Sequence, residues 1–184
     1  GKTSLIYRAM DDRRFLKFEG LENKAEKTQI RNFLMQLSYQ VEDESIDLSV
    51  STWSEAFLQL YEILQSKPKH ILFDEFQWMA NYQNGVISEL KSIWDQYISR
   101  IEGISLILCG SIASFMLSKV IRSNALYGRV DTVIRLQGFT LNESKHFYPQ
   151  KGTQEIIEAQ LFTGGIPKYL EILGEADSIR QGIQ

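Results

Sequence analysis

Cysteine, histidine and proline are scarce in this chain. A single cysteine, Cys109, excludes an internal disulfide and fits a reducing cytosol. His70 and His146 lie far apart, so they spell no zinc-binding spacing with Cys109. Three prolines are too few for a Pro-rich linker. Twenty basic against 23 acidic residues leave a net charge of −3, too mild to point to nucleic acid or an anionic membrane. No apolar run approaches the roughly 20 residues that span a bilayer. Arg8, Asp11, Asp12, Arg13 and Arg14 occupy the region where a signal peptide would need its apolar core. The expectation is a cytoplasmic chain with no membrane partner.

What is present suits a globular α/β fold. The 184 residues are 43% hydrophobic and 23% charged, enough for one domain of about 150 residues and little more. The start at Gly1, inside a motif, reads as a piece of a longer protein. Phe15–Glu19 reads as a strand closed by Gly20. Ile30, Phe33, Leu34, Leu37 and Val41 recur at helical spacing, which predicts a helix over 26–41. Thr52-Trp53-Ser54-Glu55 has the form of a capping box, ahead of an apolar stripe of Trp53, Ala56, Phe57, Leu60 and Leu64. Ile71-Leu72-Phe73 and the run from Ile104 to Cys109 read as strands buried on both faces. Between them Ile87, Leu90, Ile93, Trp94, Tyr97 and Ile101 mark a helix. Val133, Ile134 and Leu136 suggest a further strand over 131–137, and helices are expected near 142–148, 153–163 and 167–173. Strands alternating with helices argue for a parallel sheet with helices on its faces.

Three segments carry chemistry. Gly1-Lys2-Thr3-Ser4, opening a helix, matches the end of the phosphate-binding pattern G-x-x-x-x-G-K-[ST]. There backbone N–H groups and a helix N-terminus favour an anion, lysine neutralises the β and γ phosphates, and the hydroxyl binds magnesium. The plain alternative is a solvated Gly-Lys terminus. His70-Ile71-Leu72-Phe73-Asp74-Glu75-Phe76 is an apolar strand ending in two carboxylates, at the strand end where open α/β sheets bind ligands. Asp74 there can hold a hydrated magnesium ion and Glu75 can polarise an attacking water; the alternative is a solvated acidic turn. Leu106-Ile107-Leu108-Cys109-Gly110-Ser111 ends a neighbouring strand in a hydroxyl that can reach the same centre, or can simply cap the next helix. Arg13, Arg14, Lys17, Lys24 and Lys27 are interspersed with Glu19, Glu22 and Glu26, the pattern of a solvated face rather than a nucleic-acid patch.

Taken in order, these segments resemble the archaeal-type P-loop ATPases, related to the STAND and AAA+ NTPases and also found in bacteria. The resemblance rests on Gly-Lys-Thr-Ser-Leu-Ile at 1–6, Ile-Leu-Phe-Asp-Glu-Phe-Gln at 71–77 and Leu-Ile-Leu-Cys-Gly-Ser at 106–111. Leu-Tyr-Gly-Arg at 126–129 and Thr-Gly-Gly-Ile-Pro-Lys-Tyr-Leu at 163–170 complete it. It implies a P-loop NTPase of the additional-strand, catalytic-glutamate type: a three-layer parallel sheet with a C-terminal helical lid. The NTPase core would occupy 1–141, without its first strand, and the lid would begin over 142–184.

The resemblance also implies roles. Gly1, Lys2, Thr3 and Ser4 would bind ATP, with Lys2 on the β and γ phosphates. Thr3 and the Walker B residue Asp74 would hold Mg2+. Glu75 would be the catalytic base and Ser111 the sensor. Arg129 would stabilise the γ-phosphate from the same chain or a neighbour, its alternative being a surface cation after a Gly128 turn. Pro167 would lie near the adenine, its alternative being helix punctuation at Gly164-Gly165-Ile166-Pro167. The family's first Walker A glycine and the strand feeding the loop would precede Gly1, between the strand of Ser111 and that near 131–137. The fragment alone is therefore expected to bind ATP poorly and to fold marginally, and about 20 further upstream residues, a strand plus a loop, to rescue it.

The expected function is Mg2+-dependent ATP hydrolysis. Alternatives are a slowly turning regulatory switch that controls a downstream effector domain or partner, and an interaction scaffold with a decayed site. A homo-oligomer is compatible with the resemblance, and nucleic acid is not supported by charge.

Overall fold

The computed structural model describes residues 2–10, 15–66, 69–81 and 85–175. They form a larger unit, Thr3–Thr132, and a smaller helical unit whose main segment begins at Val133. No helix among the described residues is long and apolar enough to cross a membrane.

The larger unit is α/β. Three parallel strands, β1 (Phe15–Glu19), β2 (His70–Asp74) and β3 (Ser105–Leu108), lie in the order β1-β2-β3. Parallel neighbours need crossovers. Helices α2 (Glu26–Val41) and α3 (Trp53–Leu64) lie between β1 and β2. The short α4 (Phe76–Met79), α5 (Gly85–Gln96) and a 3-10 turn at Ile98–Arg100 lie between β2 and β3. Helix α1 (Lys2–Met10) precedes the sheet. After β3 come the short α6 (Ala113–Phe115) and a π-helical turn at Met116–Ile121.

The period of two along a strand sorts β1 and β2 into two faces. Leu16 pairs with Ile71 and Phe18 with Phe73 in register, and all four are buried. This face packs on α2 and α3 through an aromatic cluster: the Phe33 ring lies 4.3 Å from Phe18, 5.6 Å from Phe57 and 5.7 Å from Trp53. The predicted apolar stripes of both helices are buried as expected. Thr52 caps α3 by accepting the Glu55 N–H, while its hydroxyl donates to the Glu55 carboxylate. The opposite face carries Lys17, Glu19, Leu72 and Asp74, the last two in register with the first two. On it the Tyr7 ring of α1 meets Phe15 edge-on at 5.0 Å.

The helix marked by Ile87 to Ile101 stops at Gln96, a 3-10 turn taking over at Ile98–Arg100, and two strand expectations also differ from the structure. The apolar residues of β3 are half-buried, not buried on both faces. Residues 131–137 form no strand, and Val133, Ile134 and Leu136 are exposed. Both have one cause. Apolar alternation gives a segment the propensity for a strand, but a ladder needs a partner, and no described strand lies beyond β3.

The smaller unit holds α7 (Leu141–Ser144), α8 (Thr153–Thr163) and α9 (Pro167–Gly174) around Tyr148, Ile156, Ala159, Leu170 and Leu173. Thr140 and Glu143 form a reciprocal capping box. Gly164 and Gly165 both have positive φ. A side chain at Gly165 would strike the Phe139 backbone, whose N–H donates to the Gly165 carbonyl at 2.7 Å. Only glycine allows that approach.

Candidate functional site

Asp74 closes β2, the central strand, and is only 4% exposed. The chain then takes a left-handed turn at Glu75, where φ is +48° in a non-glycine residue. That turn gives the two adjacent carboxylates different surroundings. Gly20 permits the turn to be overlaid closely: a Cβ there would lie 2.7 Å from both the Glu75 carbonyl and the Met79 N–H.

The Asp74 carboxylate draws its partners from three places. Thr3, 71 residues earlier and in the first turn of α1, donates its hydroxyl to Asp74 Oδ2 at 2.9 Å. The Lys17 ammonium on β1 stands 3.4 Å from the same oxygen and 2.9 Å from Glu19. The Glu75 N–H donates to Oδ1 at 3.1 Å. Burial pulls the Lys17 pKa down, but Glu19 and Asp74 outweigh it and the net shift is upward.

The Glu75 carboxylate belongs to a second set. Its Oε2 accepts from the Ser111 hydroxyl at 2.8 Å and from Gln77 Nε2, which also donates to Ser111 Oγ at 2.9 Å. The protons balance: the amide supplies two donors, the hydroxyl gives one and accepts one, and the carboxylate only accepts. Ser111 thus spends its hydroxyl on Glu75 rather than on the next helix, whose N-cap is Ile112. Gln77 is fully buried, and its Oε1 has no partner. Gly110 makes room for it, since a Cβ there would fall 2.7 Å from that oxygen.

Of the residues singled out from sequence, Thr3, Asp74, Glu75 and Ser111 converge on the C-terminal ends of β2 and β3. Lys2 and Ser4 flank Thr3 in the first turn of α1; Gly1 lies outside the described residues. Arg129 lies elsewhere in its interactions. Its Nε and terminal nitrogen grip Asp95 of α5 at 2.6 and 2.7 Å, and it also donates to the carbonyls of Ala125 and Tyr127. That hydrogen-bonded pairing, aided by Lys91 and opposed by partial burial, lowers the Asp95 pKa to about 2. Pro167 belongs to the smaller unit, where it is the first residue of α9.

Sequence reasoning missed Gln77 and Lys17. Gln77 stood in the quoted motif without a role, and nothing but its distance of two from Glu75 marked it. Lys17 read as part of a solvated face; its signal was the strand alternation that puts 17 and 19 opposite Leu16 and Phe18.

Comparison with known proteins adds little to this geometry. No family model and no solved structure matches the chain. A protein of Methanocaldococcus jannaschii, described as uncharacterized, is 28% identical over 172 residues, which is 93% of this chain. The chain spans 36% of that relative's length.

Proposed function

We propose that this chain carries the catalytic part of a P-loop ATPase that binds ATP with Mg2+ and hydrolyses it. The observation that carries the reading is the Thr3–Asp74 hydrogen bond. It joins the hydroxyl of a Gly-Lys-Thr helix start to a carboxylate at the end of the central parallel strand, the pair such a site needs around one cation. The parallel order β1-β2-β3 supports the additional-strand type, with β1 placed between the two motifs. The half-buried β3 leaves room for the further strand that this fold sets beside it.

The donor set suits magnesium. A hydroxyl and one carboxylate are hard oxygen ligands, and magnesium at nucleotide sites takes few protein ligands beside phosphates and water. Bound there, the ion would neutralise charge building on the β and γ phosphates. Lys2, at the start of α1, would add a second positive charge to those phosphates. Glu75 would orient the attacking water and accept its proton, and Ser111 would hold the Glu75 carboxylate in place. Arg129 would have to leave Asp95 before it could serve a phosphate, and Pro167 would contribute from the lid.

The hydrogen bonding of these side chains also favours a second reading, a slowly turning switch that controls an attached effector or a partner. One Glu75 oxygen already accepts two hydrogen bonds, and Arg129 is committed to Asp95. ATP binding and turnover by the full-length wild-type protein and its Glu75→Gln variant separate the two. Hydrolysis requires the variant to keep ATP while losing at least a hundredfold in kcat. Equal, negligible turnover with an ATP-driven change in assembly identifies the switch. Failure of the full-length protein to bind ATP would overturn both.

A further inference from the structure

Asp74 is an almost fully buried carboxylate, and burying such a charge without a counter-charge is costly. Its hydrogen bonds from Thr3 and the Glu75 N–H come from neutral groups. Among the described residues, the cation paired with it is Lys17. The parallel register explains the reach: Lys17 pairs with Leu72, so Asp74 lies two residues along the neighbouring strand on the same face, a diagonal a long side chain can span. The same register sets Glu19 directly beside Asp74, and the Lys17 ammonium touches both carboxylates, at 3.4 and 2.9 Å.

This arrangement creates a conflict. Resting on the reading of Asp74 as a metal carboxylate, a divalent cation held by Thr3 and Asp74 would sit within a few ångströms of an ammonium group. Like charges at that range in a partly buried site repel strongly. Glu19 supplies the way out. It is the better-placed partner already, and its carboxylate is half-exposed, so an ammonium there keeps an ion pair and water. Lys17 has the flexible stem that such a shift needs.

We propose that Lys17 is a resident counter-cation: it neutralises Asp74 when no metal is bound, and a divalent cation entering the Thr3–Asp74 position displaces it onto Glu19. The lysine then sets the metal affinity of the site. It suppresses cation binding in the absence of nucleotide and keeps the buried carboxylate compensated meanwhile.

Mn2+ alone is the probe, with binding to the full chain followed by electron paramagnetic resonance and by relaxation of resonances near Asp74. Lys17→Met should bind Mn2+ about tenfold more tightly than wild type, the scale expected for removing one nearby like charge. Lys17→Arg should behave as wild type, since it keeps the charge. Without metal Lys17→Met should melt below wild type, and Mn2+ should raise its Tm by more than it raises that of wild type. Lys17→Gln serves as the neutral variant if Lys17→Met does not fold. Unchanged or weaker Mn2+ binding in the neutral variants, with binding still lost in Asp74→Asn, would overturn the role of Lys17 alone. Binding that Asp74→Asn leaves intact would overturn the metal reading of Asp74, and this proposal with it.

Discussion

The two edges of the sheet are finished differently. At the outer edge of β1, side-chain amides of α2 take the place of a missing strand. Gln40 accepts from the Lys17 N–H and donates to the Lys17 carbonyl, at 2.8 and 2.7 Å. Gln36 does the same for Glu19 at 2.9 and 3.2 Å, and Asn32 donates to the Glu19 carbonyl as well. The match is geometric: four helical residues advance about 6 Å and two strand residues about 6.6 Å, so Gln36 and Gln40 track the alternate residues Glu19 and Lys17 of β1. At β3 the N–H groups of Ser105 and Cys109 turn toward β2. By the same alternation Leu106 and Leu108 present theirs to the other edge, where no described strand pairs with them. One edge is closed by design of the helix; the other keeps apolar, half-buried residues and the form of a strand awaiting a neighbour.

The largest expected effect separates the two sides energetically. Phe18→Ala, at the centre of the covered face, should cost about 3–5 kcal/mol, whereas Leu108→Ala on β3 should cost about 1–2 kcal/mol because part of its surface already meets water. Urea unfolding measures both, and equal losses would erase the distinction. A middle-sized effect tests the amide row. Gln36→Ala with Gln40→Ala should cost about 2 kcal/mol in total, near 1 for each pair of hydrogen bonds, and should promote self-association by baring the β1 edge. Unfolding and size-exclusion chromatography follow the two consequences. No loss of stability would mean that the amides only decorate the strand.

How far the sequence foretold this follows from which signals are local. Helix α2 ends where its apolar spacing ends, and β2 is legible because a short apolar run before Asp74 and Glu75 has few other uses. The convergence of Thr3 with Asp74 came from the motifs and the strand-end rule, not from any local signal linking positions 71 apart. The strand over 131–137 was misread because apolar alternation reports propensity and says nothing of a partner. Lys17 was misread for the converse reason: its charge looked solvated until the register brought Asp74 beside it. Gln36 and Gln40 lie outside the apolar stripe of α2 and carried no signal of their own, because their use depends on where β1 lies.

The smallest effect concerns the segment after β3, which is pinned through side chains. Arg129 ties the turn at Ala125–Arg129 to α5 through Asp95, with Lys91 at 3.0 Å on the same carboxylate. The Asp95 pKa is held at about 2, below its ordinary value of 3.8, chiefly by the hydrogen-bonded Arg129. A carboxyl whose folded pKa is depressed stabilises the fold above its unfolded pKa and loses that contribution as pH falls through the folded one. Wild type should therefore exceed Asp95→Asn in stability by a constant margin above about pH 4, and the margin should close between about pH 4 and 2. The pair is about 30% exposed on both sides, so the margin should be modest and should shrink in salt. Thermal melts across that pH range, at low and high ionic strength, measure it. A margin that persists unchanged at pH 2 would show that the segment after β3 is held by packing, as the β1 side is, and not by this ion pair.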